Sequence, residues 1–250
     1  MSQLGLEAAR QKMLDAGVAT PAVDVFSHYY RLVESGETGL IREEDIEPLT
    51  DPPMLDDVEV SDNEAREAIG ATVIIKLNGG LGTSMGLDKA KNLLEVRDGL
   101  NFLDLIVQQV QAARRDWDAP LPLLFMNSFR TEADTLAHLS RYPDLPVDGL
   151  PLSFLQNQEP KLRADDLTPV EWPADPGLEW CPPGHGDIYT SLWSSNLLQQ
   201  LIDKGFRYAC TANGDNLGAA PNARLAGWFA ASGAPYAAEL CRRTINDRKG

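Results

Sequence analysis

Residues 76–86 read Lys-Leu-Asn-Gly-Gly-Leu-Gly-Thr-Ser-Met-Gly and follow directly on the apolar run Thr72-Val73-Ile74-Ile75. A strand that ends in residues without side chains brings bare backbone N–H groups to the edge of a sheet, where a phosphate or a flat base approaches closely. An ordinary strand-to-helix connection needs no such density of glycine. The loop therefore predicts a binding cradle at the carboxyl end of a buried strand. Two common nucleotide loops do not describe it. The Walker A pattern requires Gly-Lys-Ser/Thr, and no glycine here is followed by lysine. Gly80, Gly82 and Gly86 fit a loose dinucleotide fingerprint, with Glu95 or Asp98 as the ribose acid. That acid comes too early, and Asp88-Lys89-Ala90-Lys91-Asn92 interrupts the required helix start.

Around this loop the hydrophobic pattern alternates. Apolar runs at 72–77, 121–127, 150–155, 208–213 and 235–243 read as strands, and 101–115, 131–140, 187–203 and 221–232 as helices. Such alternation predicts an α/β fold with a doubly wound, mainly parallel sheet, whose ligands sit beyond the carboxyl ends of the strands. Ahead of it, 2–17 and 21–35 read as an amphipathic helical hairpin, with Thr20 as N-cap and Pro21 as first helical residue. Residues 43–57 are acidic and proline-rich, a surface-wrapping linker. The chain divides into an N-terminal helical hairpin and wrapping linker, 1–70, and an α/β portion, 71–250.

Charge narrows the partners. Against 22 Lys and Arg stand 37 Asp and Glu, a formal net charge of −15, which argues against nucleic acid. A phosphate site in such a chain must carry its own cations, and Lys76, Lys89 and Lys91 flank the glycine loop. The three cysteines, Cys181, Cys210 and Cys241, have neither metal-site nor redox spacing and read as reduced structural thiols. With no apolar run of membrane-spanning length and no basic region leading into an apolar start, the expectation is a cytoplasmic protein without a membrane partner.

Further blocks follow the loop in order: Lys91-Asn92-Leu93-Leu94, Asn101-Phe102-Leu103-Asp104-Leu105 with Gln108-Gln109, Met126-Asn127-Ser128-Phe129, Pro182-Pro183-Gly184-His185-Gly186-Asp187-Ile188-Tyr189, and Asn213-Gly214-Asp215-Asn216-Leu217-Gly218-Ala219. Together they resemble the UTP–glucose-1-phosphate uridylyltransferase family, from about residue 71 to the end of the chain. The resemblance implies a nucleotide-diphospho-sugar transferase (GT-A-like) fold, UTP and glucose-1-phosphate as substrates, and Mg²⁺ as cofactor. It implies that Leu77, Asn78, Gly79 and Gly80 contact the nucleotide, Gly79 and Gly80 also bordering the sugar phosphate. Lys91 would meet the UTP phosphates, with Lys89 as the alternative because Lys89-Ala90 replaces the family's usual Gly-Pro. Gln156 would read uracil, with Gln158 the alternative register. Gly184 would contact the nucleotide, and His185 the sugar or its phosphate. Asn213 and Gly214 would face sugar and ribose, and Asp215 would hold Mg²⁺, making Lys91 and Asp215 the catalytic pair. His28 and His138 match no motif and read as surface or packing residues.

The last residues, 242–250, resemble a segment well inside the family's catalytic domain, so the expectation is a longer protein, with more of the sugar-binding half and a C-terminal β-helix beyond. Three other readings remain: a UDP-N-acetylhexosamine pyrophosphorylase, a non-catalytic sugar-nucleotide binder, and an NAD(P)-binding oxidoreductase using Gly80, Gly82 and Gly86.

Overall fold

The structure, a computed structural model, describes residues 2–81, 89–147 and 149–246. Gly82, Thr83, Ser84, Gly86 and Asp88 of the glycine loop lie outside the described residues. The elements in order are α1 (Ser2–Asp15), α2 (Thr20–Glu34), α3 (Asp62–Gly70), β1 (Thr72–Asn78), β2 (Glu95–Arg97), β3 (Leu100–Asn101), α4 (Phe102–Trp117), β4 (Leu123–Asn127) and α5 (Glu132–Leu139). Then come β5 (Ser153–Leu155), β6 (Glu159–Pro160), β7 (Trp180–Cys181), α6 (Ile188–Ser194), α7 (Leu197–Asp203), β8 (Tyr208–Asn213) and α8 (Ala223–Ser232).

The central sheet is β5-β4-β1-β8, all parallel. Strand alternation sends Ile74, Leu123 and Phe125 to one face, where they pack with Ile69 of α3, Leu103, Ile106 and Val110 of α4, and Ala223 of α8. Val73, Ile75, Leu124, Met126 and Phe154 go to the other face, against Ile188 and Leu192 of α6 and Leu197 and Leu201 of α7. Helices on both faces give the expected doubly wound layers. Chain order runs outward from β1 through β4 to β5, then reverses to place β8 on the other side of β1. The switch point of this sheet is therefore the crevice between the carboxyl ends of β1 and β8, where ligands bind in such folds. The hairpin α1–α2 has its own small core of Ala9, Met13, Val23, Phe26 and Tyr30, closed by Leu162, Leu167 and Trp180. A Lys12–Glu179 ion pair joins the two segments.

Several boundaries differ from the sequence reading. Thr20 is the first helical residue of α2 and Ala19 its N-cap, so Pro21 sits one place further into the first turn. There its missing N–H still has no intrahelical partner to lose. Helix 187–203 is two helices, because Asn196 takes a left-handed conformation (φ 59°) between α6 and α7. The strand expected at 235–243 does not form. Tyr236 and Leu240 are largely exposed, and among the described residues the segment pairs with no strand. Its alternation is strand-like, but a strand exists only through a neighbour's hydrogen bonds. Helix α3 is absent from the sequence reading, although Ser61 and Glu64 form a reciprocal capping box at its start.

Candidate active site

Register aligns the carboxyl ends of the strands. Leu77 pairs with Asn213, Asn78 with Asn127, and Asn127 with Leu155. The Gln156 N–H continues the ladder by donating to Asn127 O at 2.8 Å. Beyond these ends lies a cleft of about 360 Å³. Its floor comes from β1 and the following turn, through Leu77, Asn78, Gly79 and Gly80. Its walls are Lys91 and Asn92, then Gln156, then Pro182, Gly184 and His185, and finally Asn213 and Asp215. Gly214 completes the set from just behind the wall, where its N–H donates to Leu77 O at 2.9 Å. Residues from five separate sequence blocks thus meet in one crevice.

The glycines are explained by what a side chain would strike. A Cβ on Gly79 would stand 2.6 Å from Gln156 Nε2, so the bare backbone lets that amide lie over the turn. A Cβ on Gly214 would stand 1.8 Å from Asn92 Nδ2. Among the described residues a Cβ on Gly80 would meet nothing within 4 Å, and Gly80 itself lines the cleft. Gly184 has φ 106°, a backbone conformation that only glycine adopts readily.

Lys91 returns to the crevice because its N–H donates to Gly80 O at 3.1 Å, and Leu81 bridges Ala90. Its Nζ donates to Asp215 Oδ2 at 2.5 Å. This hydrogen bond and the lysine's charge hold the Asp215 carboxyl below the usual range for aspartate. Both side chains are about one-third exposed, so the pair opens onto solvent and onto any ligand in the cleft. Lys89 is exposed and does not line the cleft, nor does Gln158.

Lys76 departs from expectation. Strand alternation turns it away from Leu77 and the cleft, and it is 1 % exposed. Its Nζ donates to Ala219 O at 2.8 Å, while Gln109 Nε2 donates to Leu217 O at 2.9 Å. Burial pushes the Lys76 ammonium down from its ordinary value. It braces the 216–219 turn behind Asp215 and does not stand among the cations of the cleft.

The amide set at the strand ends is also absent from the sequence reading as a network. Asn92 Nδ2 donates to Asn78 Oδ1 at 2.6 Å, Asn78 Nδ2 to Asn127 Oδ1 at 2.6 Å, and Asn127 Nδ2 to Ser153 Oγ at 2.8 Å. The chain of bonds fixes β1, β4 and β5 to one another at the ligand end and holds Asn92, beside Lys91, against the sheet. Each residue lies in or next to a quoted block, so position gave a signal, but the pairing is tertiary. His138 is a packing residue after all, with Nε2 2.7 Å from Asp104 Oδ1.

A sequence model described as UTP–glucose-1-phosphate uridylyltransferase matches residues 23–250. The chain belongs to this family. The family's enzyme from Solanum tuberosum is 40% identical over 188 residues, which cover 75% of this chain and 39% of that protein. The Saccharomyces cerevisiae enzyme is 42% identical over 178 residues, covering 71% and 35%. Among solved structures, a mutant UDP-glucose pyrophosphorylase from Leishmania major in complex with UDP-glucose superposes with a TM-score of 0.91 at 42% identity, covering 99% of this chain and 51% of that one. A Trypanosoma brucei structure gives 0.90 at 41%, covering 98% and 53%. This uridylyltransferase-family chain thus spans roughly half or less of the length of these relatives.

For Mg²⁺ the donor chemistry fits in a limited sense. Among the described residues no group of three or more His, Cys, Asp or Glu side chains could cage an ion. Mg²⁺, however, commonly takes one or two carboxylates plus substrate phosphate oxygens, and a partly exposed carboxylate facing the cleft, Asp215, suits that arrangement.

Proposed function

We propose that the protein transfers a uridylyl group from UTP to glucose-1-phosphate, giving UDP-glucose and pyrophosphate. One observation carries the reading: the Lys91–Asp215 pair stands at the sheet's switch point, beside the bare turn Gly79-Gly80 and the buried amide of Gln156. A phosphate oxygen of glucose-1-phosphate is already a nucleophile, so the site needs no activated serine or cysteine. It attacks the α-phosphorus of UTP, an O–P bond forms, and the bond from that phosphorus to pyrophosphate breaks. The chain's contribution is alignment and charge neutralisation.

In this reading Gln156 reads the uracil edge, since an amide both donates and accepts, while Leu77, Asn78, Gly79, Gly80 and Gly184 bound the nucleotide. His185, Asn213 and Gly214 face the sugar side. Lys91 neutralises the UTP phosphates: a triphosphate offers its ammonium a competing anion and frees Asp215. That carboxylate would then hold Mg²⁺, which supplies further positive charge on the phosphates when bound. Three unpaired thiols fit the reducing cytoplasm proposed for the enzyme.

The test is pyrophosphate release and UDP-glucose formation from UTP and glucose-1-phosphate with and without Mg²⁺, together with UTP calorimetry. Mg²⁺-dependent product supports the reading. A folded protein with no measurable affinity for UTP overturns it.

A further inference from the structure

The base-reading amide has a weak support of its own. Gln156 follows β5, a three-residue strand at the sheet edge, and its own N–H makes the last bond of the ladder, to Asn127 O. One residue further on, the sheet offers nothing. The next backbone N–H, that of Asn157, donates instead to a side chain: Asp187 Oδ2, at 2.6 Å. Asn157 Nδ2 donates to Asp187 Oδ1 at 2.8 Å, and Ser191 Oγ to Asp187 Oδ2 at 2.7 Å.

Asp187 is 8 % exposed, and among the described residues no lysine, arginine or histidine is paired with it. A buried carboxylate without a cation persists only where donors replace its water, and three directed donors do so here. Asp187 also closes the single 3-10 turn that carries His185, its N–H donating to Gly184 O at 3.2 Å. One carboxylate therefore joins two walls of the cleft that are about thirty residues apart in sequence, the Gln156 wall and the Gly184-His185 wall. Asp187 itself does not line the cleft.

We infer that Asp187 is the positioning residue that sets where the Gln156 amide meets the base, by clasping the Asn157 backbone to the His185 turn. The inference deepens the proposed function and rests on its reading of Gln156 as the base contact. A misplaced amide weakens the contacts that tell uracil from cytosine while leaving the phosphate contacts in place. The observable is therefore a ratio of affinities, which general destabilisation does not move.

UTP and CTP dissociation constants would be measured by calorimetry for the wild type, Asp187→Ala and Asp187→Asn, with thermal melts to confirm folding. The wild type should prefer UTP. Asp187→Ala, which removes three hydrogen bonds to a charged group, should lower the UTP-to-CTP preference about tenfold or more. Asp187→Asn keeps the volume and one acceptor oxygen, and should fall between the two. An unchanged preference in folded Asp187→Ala overturns the inference; should that variant not fold, an unchanged preference in Asp187→Asn does so. A wild type that does not discriminate UTP from CTP overturns the reading of Gln156 along with the inference, and that failure is recognisable because it shows before any substitution is made.

Discussion

At the residue scale, the two lysines of Lys89-Ala90-Lys91 separate by environment. Lys91 is drawn into the cleft by its backbone bond to Gly80 and its ion pair with Asp215, whereas Lys89 stands exposed. Loss of one charge-stabilising contact in a transition state costs about a hundredfold in rate. Lys91→Ala should therefore slow the proposed uridylyl transfer by about that factor and Lys89→Ala by a few-fold at most, read from pyrophosphate release; the reverse order would reassign the phosphate contact. The glycines separate in the same way. Among the described residues nothing lies within 4 Å of a Cβ at Gly80, so the melting temperature of Gly80→Val should match the wild type while calorimetry finds UTP binding lost. In Gly214→Ala the new methyl would stand 1.8 Å from Asn92 Nδ2 with Leu77 O close behind, so the wall must shift. Overpacking of this kind costs about 1–3 kcal/mol, and a denaturant titration should show it even without ligand.

At the scale of elements, local signals and tertiary ones parted company at definable places. Strand β8 and helices α4 and α5 follow the sequence pattern to within about two residues, the ordinary spread of helix and strand ends, because their periodicity is set by near neighbours, and α4 is also capped by Asn101 and Asp104. Helix α3 is short and sits behind an acidic linker, and its apolar face packs on α8 and α4, a match that needs both partners in view. Its local signal was nonetheless present in Ser61 and Glu64, whose side chains satisfy each other's backbone N–H. Ser61→Ala should lower stability by about 1 kcal/mol, measured by thermal or denaturant unfolding. A loss too small to measure would show that packing alone fixes α3. The break at Asn196 was hidden because residues on both sides keep one apolar face, Ile188 and Leu192 before it and Leu197 and Leu201 after, all in the same core.

At the scale of the molecule, burial couples stability to pH through Glu159. Burial, aided by the negative charge of Asp187, pushes the Glu159 carboxyl up to about 7. A carboxyl whose folded value lies above its unfolded one, about 4.5, holds its proton more tightly when folded. Its contribution is therefore fully present below about 4.5, is lost as pH rises from there through about 7, and is constant above. Denaturant unfolding of the wild type and Glu159→Gln should give stabilities that diverge across this window, the glutamine variant being relatively more stable at pH 8 than at pH 5. Parallel curves would mean that Glu159 is solvated as an ordinary glutamate. What the sequence determined by itself was whatever short-range physics encodes: the parallel α/β alternation, the bare turn after β1, and the residue types gathered at strand ends. That Leu77, Gly79, Gly80, Lys91, Gln156, Gly184, His185, Asn213 and Asp215 belong to one site came instead from the resemblance of their sequence blocks to the uridylyltransferase family, and the fold brings them to line one cleft. The three-dimensional structure alone decided which way Lys76 points, that Asn78, Asn92 and Asn127 form one network, that Asp187 joins two distant walls, and that 235–243 is no strand. The reason is physical. A turn or a helix is specified by neighbours in the chain, but the partner of a buried amide, a carboxylate or a strand edge is supplied by packing between segments far apart in sequence.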